Sequence, residues 1–140
     1  MMQITNLTKT KIEEKSLKTA ARTAAAVLGN KIIDDISLVL VGDAEMKSLN
    51  KKYRGKNKTT DVLSFDGLNE IFICLPQAKK QANPPSLKLR RANLLKTALK
   101  TELIRLLVHG IVHLKGYDHE KSVKDAERMF AVEDKILKNL

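Results

Sequence analysis

Leu103-Ile104-Arg105-Leu106-Leu107-Val108-His109-Gly110-Ile111-Val112-His113-Leu114-Lys115-Gly116-Tyr117-Asp118-His119 carries the strongest structural signal in the chain. Residues 103–114 are apolar on nearly every side of a helix, broken by Arg105 and His109, so they predict a central buried helix. The run is too short and too interrupted to span a membrane. All three histidines of the chain stand in this stretch. Residues four apart on a helix differ by about 40° around the axis and about 6 Å along it, so His109 and His113 share one face and can chelate one ion. Gly116 supplies a helix stop, because glycine accepts the left-handed conformation that closes a C-terminus. The turned chain can then swing His119 back. His109, His113 and His119 together read as a metal site with a free fourth position. Tetrahedral zinc bound by three protein nitrogens keeps one place for water, the catalytic arrangement, so Zn2+ is the expected ion. Nickel, copper and iron also accept imidazoles.

The spacing H-x-x-x-H-x-x-G-x-x-H is that of the metzincin metallopeptidases, with one difference. Those enzymes carry their general base, a Glu, after the first histidine, where this chain has Gly110. A carboxylate at 110 is expected to lie beside the metal water and repel an incoming phosphodiester, so its loss suits an anionic substrate. Glu102 precedes His109 on the same helical face as the only nearby helix carboxylate, and a salt bridge to a neighbouring Lys or Arg is its expected role. Asp118 either supports a ligand imidazole or forms a turn.

A chain of 140 residues is expected to form one domain, 1–140, burying about two thirds of the surface its unfolded form exposes. Hydrophobic residues make up 43% of it with no Trp, so aliphatic packing must dominate the core. Cys74 is alone, which excludes an intrachain disulfide and suggests a reducing compartment. Its apolar surroundings favour a buried thiol over a fourth metal ligand. The first residues lack a charged region followed by an apolar one, so a cytoplasmic protein without a membrane partner is expected. The net charge of +10 is uneven. Lys47, Lys51, Lys52, Arg54, Lys56 and Lys58 follow one another with no acid between them, and residues 77–105 carry eight cations against Glu102 alone. Such segments belong either to a solvated face or to one that meets a polyanion; beside a metal centre they point to RNA or DNA.

Turn and periodicity signals predict an α/β or α+β fold in which about four strands form a sheet flanked by helices. Strands are expected at 3–6, 35–41, 62–65 and 70–75. Helices are expected at 9–28, closed by Gly29-Asn30, then at 44–53, capped from Gly42-Asp43, and at 77–82, interrupted by Pro84-Pro85. The long helix to Lys115 follows. Ser122 with Asp125 resembles a capping box for a last helix packing through Ala126, Met129, Phe130, Val132, Ile136 and Leu137.

A second constellation, Leu49-Asn50-Lys51-Lys52-Tyr53-Arg54-Gly55-Lys56-Asn57-Lys58-Thr59-Thr60-Asp61-Val62-Leu63-Ser64-Phe65, stands before and within the third strand. Together with the histidine segment, in this order, it resembles the YbeY family of metal-dependent endoribonucleases that mature bacterial ribosomal RNA. The resemblance covers most of the chain. It implies a mixed sheet flanked by helices, a zinc held by His109, His113 and His119, and a basic cleft in which Arg54 is tied to activity. It also implies single-stranded ribosomal RNA and the small ribosomal subunit as partners, with ribosomal-protein or assembly-GTPase contacts, 3′-end maturation and ribosome quality control. Two departures stand out. The family's usual Leu-Gly-Asp is Leu68-Asn69-Glu70 here, and residues 83–91 are longer and more basic than usual.

The residues also make chemical sense alone. Arg54 offers a planar fork that grips phosphate oxygens and stabilises developing charge. Thr59, Thr60 and Ser64 can donate to phosphate, whereas Asp61 is expected to be structural. Two other readings fit: a metallohydrolase of another class, including a peptidase, and a non-catalytic ribosome-assembly factor with a structural zinc.

Overall fold

The computed structural model describes residues 2–29, 35–65, 67–84, 92–117 and 120–140. In chain order they form β1 (Gln3–Asn6), α1 (Glu14–Leu28), β2 (Ser37–Val41), α2 (Asp43–Arg54), β3 (Val62–Phe65), β4 (Glu70–Cys74), α3 (Leu75–Ala82), α4 (Ala92–Leu114) and α5 (Val123–Lys138). The sheet order is β1-β2-β4-β3. β1, β2 and β4 run parallel, and β3 pairs antiparallel with β4, Ser64 opposite Ile71 and Leu63 opposite Phe72. The expected four-stranded mixed α+β sheet is therefore present.

Alternation along the strands divides the apolar side chains between two layers. Leu38, Leu40, Ile71 and Ile73 face the larger core with α1, α4 and α5, while Val41, Leu63 and Cys74 face Met46 of α2. α4 is the central helix of the prediction: Leu103, Leu106, Leu107, Val108, Ile111 and Val112 are all buried. It touches α1, α3, α5, β3 and β4. Small residues on α1, namely Ala20, Ala21 and Ala24, are fully buried and let that helix lie close. Among the described residues no helix is long and apolar enough to cross a membrane.

Local chemistry moved several boundaries. The first helix starts at Glu14 rather than residue 9. Asn6 Oδ1 accepts from the backbone N–H and the hydroxyl of Thr8 at 2.9 and 2.7 Å, and its Nδ2 donates to the Thr10 carbonyl at 2.7 Å. Side-chain bonds of this kind hold the chain in a turn that competes with helix. The short helix begins at Leu75, with Pro76 in its first turn where a missing N–H costs nothing. Phe130, expected on the packing face of α5, is 54% exposed, while Met129 and Ile136 are buried. Ser122 caps α5 as expected, its Oγ accepting from the Asp125 N–H at 3.0 Å. Gly29 closes α1 in the left-handed region, donating to the Ala25 carbonyl at 2.9 Å. Asn30, Pro85, residues 86–91, Asp118 and His119 lie outside the described residues.

Asn69 explains one departure from the family pattern. Its φ of 50° lies in the left-handed region, and its carbonyl accepts from the Ser37 N–H at 3.0 Å. Asn is among the residues that tolerate this conformation best after glycine, so the turn into β4 survives the loss of the glycine.

Candidate functional site

α4 presents His109 and His113 toward the edge of β3, with ring centroids 4.7 Å apart and planes at 83°. Helical spacing alone produces this pairing, as the sequence implied. Gly116, at φ 104°, ends the helical path, its N–H donating to the His113 carbonyl at 2.9 Å. The expected third histidine, His119, is outside the described residues, and among those described no group of three His, Cys, Asp or Glu is placed to hold an ion.

The histidine pair is supported by a carboxylate that sequence reasoning missed. Glu133 of α5 reaches His109 Nδ1 with its Oε1 at 2.5 Å, and both side chains are mostly buried. An ionised carboxylate only accepts, so a hydrogen bond to it is donated by Nδ1 and fixes the orientation of the ring. Glu133 occurs among Met129, Val132 and Ile136 on the inward face of an amphipathic helix, and that acid on an apolar stripe was the available signal. Two imidazoles, one oriented by a carboxylate, suit a borderline divalent metal such as zinc.

Glu102, the carboxylate singled out from sequence, does not serve the histidines. It holds Arg105 through both oxygens, with Nε distances of 3.1 and 3.2 Å, as the salt-bridge expectation had it. That hydrogen-bonded carboxylate pushes the guanidinium pKa further up and keeps Arg105 cationic.

Gly110 corrects the electrostatic reading of the missing base. A Cβ built there would lie 2.9 Å from Ile71 Cγ2 and 3.1 Å from Cδ1. The position faces β4, not the face that carries His109 and His113, so a carboxylate there would enter the sheet. Helix–sheet contact requires the glycine; phosphate repulsion is not the reason.

Arg54 and the histidines meet in one cleft of about 440 Å³, lined also by Thr60, Asp61, Ser64, Arg105 and Glu120. Arg54 ends α2, and Gly55 at φ 68° stops the helix there with its N–H on the Lys51 carbonyl at 3.1 Å. The following loop is pinned by Asn50, 2% exposed, whose Nδ2 donates to the Lys58 carbonyl at 2.8 Å. Asn50 was quoted within the motif but not singled out. Asp61 is structural as expected: Oδ1 accepts from the Val62 N–H at 2.8 Å and Oδ2 from Gln81 at 3.2 Å. Thr59 departs from expectation, its hydroxyl lying 3.7 Å from Cys74 Sγ on the other side of the sheet. Glu120, which also lines the cleft, was not anticipated.

Asp43 replaces its predicted capping role with a cross-link. Its Oδ1 accepts from Cys74 Sγ at 3.2 Å and Gln77 Nε2 at 3.0 Å, while Glu45 takes the Gly42 N–H at 2.6 Å. Cys74 is buried in this network, and burial pushes its thiol pKa up.

Fold and cleft define a class: a small α+β protein in which a histidine-bearing helix lies along a mixed sheet and shares one cleft with two arginines, Arg54 and Arg105, and two acids, Asp61 and Glu120. Residues 3–140 match the family described as Endoribonuclease YbeY, and the chain belongs to that family. An Endoribonuclease YbeY from Persephonella marina is 43% identical over 76% of this chain and 70% of its own length. One from Aquifex aeolicus is 34% identical over 98% of this chain and 90% of its own. The solution structure of a Thermotoga maritima protein superposes with a TM-score of 0.61 at 28% identity, covering 99% of this chain and 87% of that one.

Proposed function

We propose that this chain is a single-strand-specific, zinc-dependent endoribonuclease that matures the 3′ end of small-subunit ribosomal RNA in the cytoplasm and serves ribosome quality control. The observation that carries the reading is the meeting of Arg54 and Arg105 with His109 and His113 in one cleft. His109 and His113, joined by His119, would hold the ion. When bound, zinc supplies Lewis-acid stabilisation to phosphodiester cleavage. Arg54 grips the scissile phosphate through paired N–H donors and offsets the charge that grows on its oxygens. Thr60 and Ser64 line the same cleft and would offer hydroxyl donors to the phosphate. Glu133 keeps the His109 ring in one orientation. The exposed lysines of α2 and the following loop draw in the RNA backbone through released counterions. The small subunit, a ribosomal protein or an assembly GTPase would present the substrate.

Cleavage of a single-stranded RNA by wild-type protein and by folded Arg54→Ala tests the reading. Loss of cleavage in the variant supports it; an equal rate would assign the activity to a contaminant. Tight ribosome binding that survives removal of all three histidines, with no cleavage by wild type, would favour the assembly-factor reading instead. A substrate with 2′-deoxyribose at the cut distinguishes attack by the 2′-hydroxyl, which it blocks, from attack by water.

A further inference from the structure

The chain has two Tyr and three Phe, and three of these five rings gather at one place. Tyr53 packs on Phe65 with centroids 5.0 Å apart, and Phe65 packs edge-on to Phe72 at 5.7 Å. Phe65 and Phe72 are half-buried beside Met46 and Leu63, whereas Tyr53 at the end of the row is 52% exposed. Lys52 Nζ lies 5.2 Å from the Tyr53 ring centroid.

The position of this row relative to the cleft gives it meaning. Successive residues of a strand point to opposite faces, and successive helical residues differ by about 100°. Ser64 and Arg54 line the cleft, while their neighbours Phe65 and Tyr53 pair on the other face of the sheet. β3 lies at the end of the sheet order, so only one edge strand separates the two surfaces. A single strand leaving the cleft past Arg54 meets Tyr53 next. Lys47, Lys51, Lys52, Lys56 and Lys58 are all exposed around that path, with no acid from 47 to 58. Exposed aromatic rings among cations are the chemistry that stacks bases while neutralising phosphates.

We infer that the Tyr53–Phe65–Phe72 row is a base-stacking platform for the single-stranded RNA flanking the cleavage point, reached over the β3 edge. The inference rests on the RNA reading of the cleft. Phe65 braces the Tyr53 ring, Phe72 backs Phe65, and a base stacks on the exposed part of Tyr53 beside the Lys52 ammonium. Stacking of this kind tolerates any base and extends the footprint beyond the scissile phosphate.

The absence of Trp makes a direct test available in the full chain. Tyr53→Trp provides a single tryptophan, excited selectively over the remaining Tyr117, and a single-stranded oligoribonucleotide should quench it, whereas an oligomer with abasic residues flanking the cut should bind without quenching. Tyr53→Leu, which keeps apolar packing on Phe65 but removes the stacking ring, should bind the intact oligomer about tenfold more weakly. Tyr53→Phe should bind as wild type does. Equal binding by Tyr53→Leu and wild type, or equal quenching by the abasic oligomer, would overturn the platform while leaving the cleft reading intact. Equal RNA binding with lost ribosomal-protein binding in Tyr53→Leu would assign the face to a protein and also overturn it. Failure of wild type to bind or cut any single-stranded RNA would instead remove the reading on which the platform rests.

Discussion

Gly110→Ala should destabilise the protein even though alanine is the better helix former. The added Cβ would sit 2.9 Å from Ile71 Cγ2, 3.1 Å from Cδ1 and 3.3 Å from Cγ1. Ile71 is fully buried in the central part of the sheet and has no solvent to swing into. Overpacking of this sort costs about 1–3 kcal/mol, and the gain in helix propensity returns about 0.8–1 kcal/mol. The net loss is therefore about 1 kcal/mol, a fall in Tm of about 4 °C for a chain of this size.

The sign should reverse when the obstacle is removed. Ile71→Ala alone costs about 2–5 kcal/mol through the cavity it leaves. In that background Gly110→Ala gains helix propensity and fills part of the void, so it should stabilise by about 1 kcal/mol, a coupling of about 2 kcal/mol between the sites. Urea unfolding of the four proteins, followed by far-UV circular dichroism, reads both effects. An unchanged or more stable Gly110→Ala in the wild-type background, or the same shift in both backgrounds, would refute the steric reading of Gly110. Gly110→Glu belongs to the same reasoning: it should unfold the packing against β4 and confer no peptidase activity.

Glu133→Gln should weaken metal binding about 10- to 100-fold, because the ring loses the carboxylate that orients it; competition against a chromophoric chelator measures this, and unchanged affinity would contradict it. Arg54→Lys retains the charge but loses the paired donors, so the rate of RNA cleavage should fall about 100-fold, and a variant as active as wild type would remove Arg54 from the chemistry. Hydrogen bonds from Gln77 and Cys74 hold the Asp43 carboxyl below its usual range. Its folded pKa lies below the unfolded one, so its stabilisation is present above the unfolded value and fades as pH falls through the folded one. Asp43→Asn should accordingly be less stable than wild type at neutral pH, the gap narrowing in acid; denaturation midpoints that stay parallel across the range would count against this.

The sheet and the central helix were legible because each rests on local periodicity, whereas the meeting of Arg54 with the histidines came from the resemblance that two separated motifs carry. Residues 103–114 announce burial by being apolar all round, and His109 and His113 announce a shared face by their spacing. Glu133 was less visible because its partner stands on a different helix, and only its place on an apolar stripe marked it. Gly110 was misread for a related reason: sequence shows which residue is missing beside a histidine, but the direction of that position depends on how α4 lies on β4. The late start of α1 came from side-chain bonds among Asn6, Thr8 and Thr10 that helical periodicity does not register. Tyr53 read as part of a motif until the structure set it against Phe65 on the far side of the β3 edge.

The most direct test of the cleft's function is the cleavage rate of a single-stranded RNA by purified protein, measured after metal is stripped and again as zinc is returned. Stripped wild type should be inactive, regain cleavage as one equivalent of zinc per chain is bound, and lose that recovery in His113→Ala. Full cleavage by the stripped protein, or zinc-restored cleavage in a folded His113→Ala, would contradict the assignment of the histidines and Arg54 to a metal-dependent ribonuclease site.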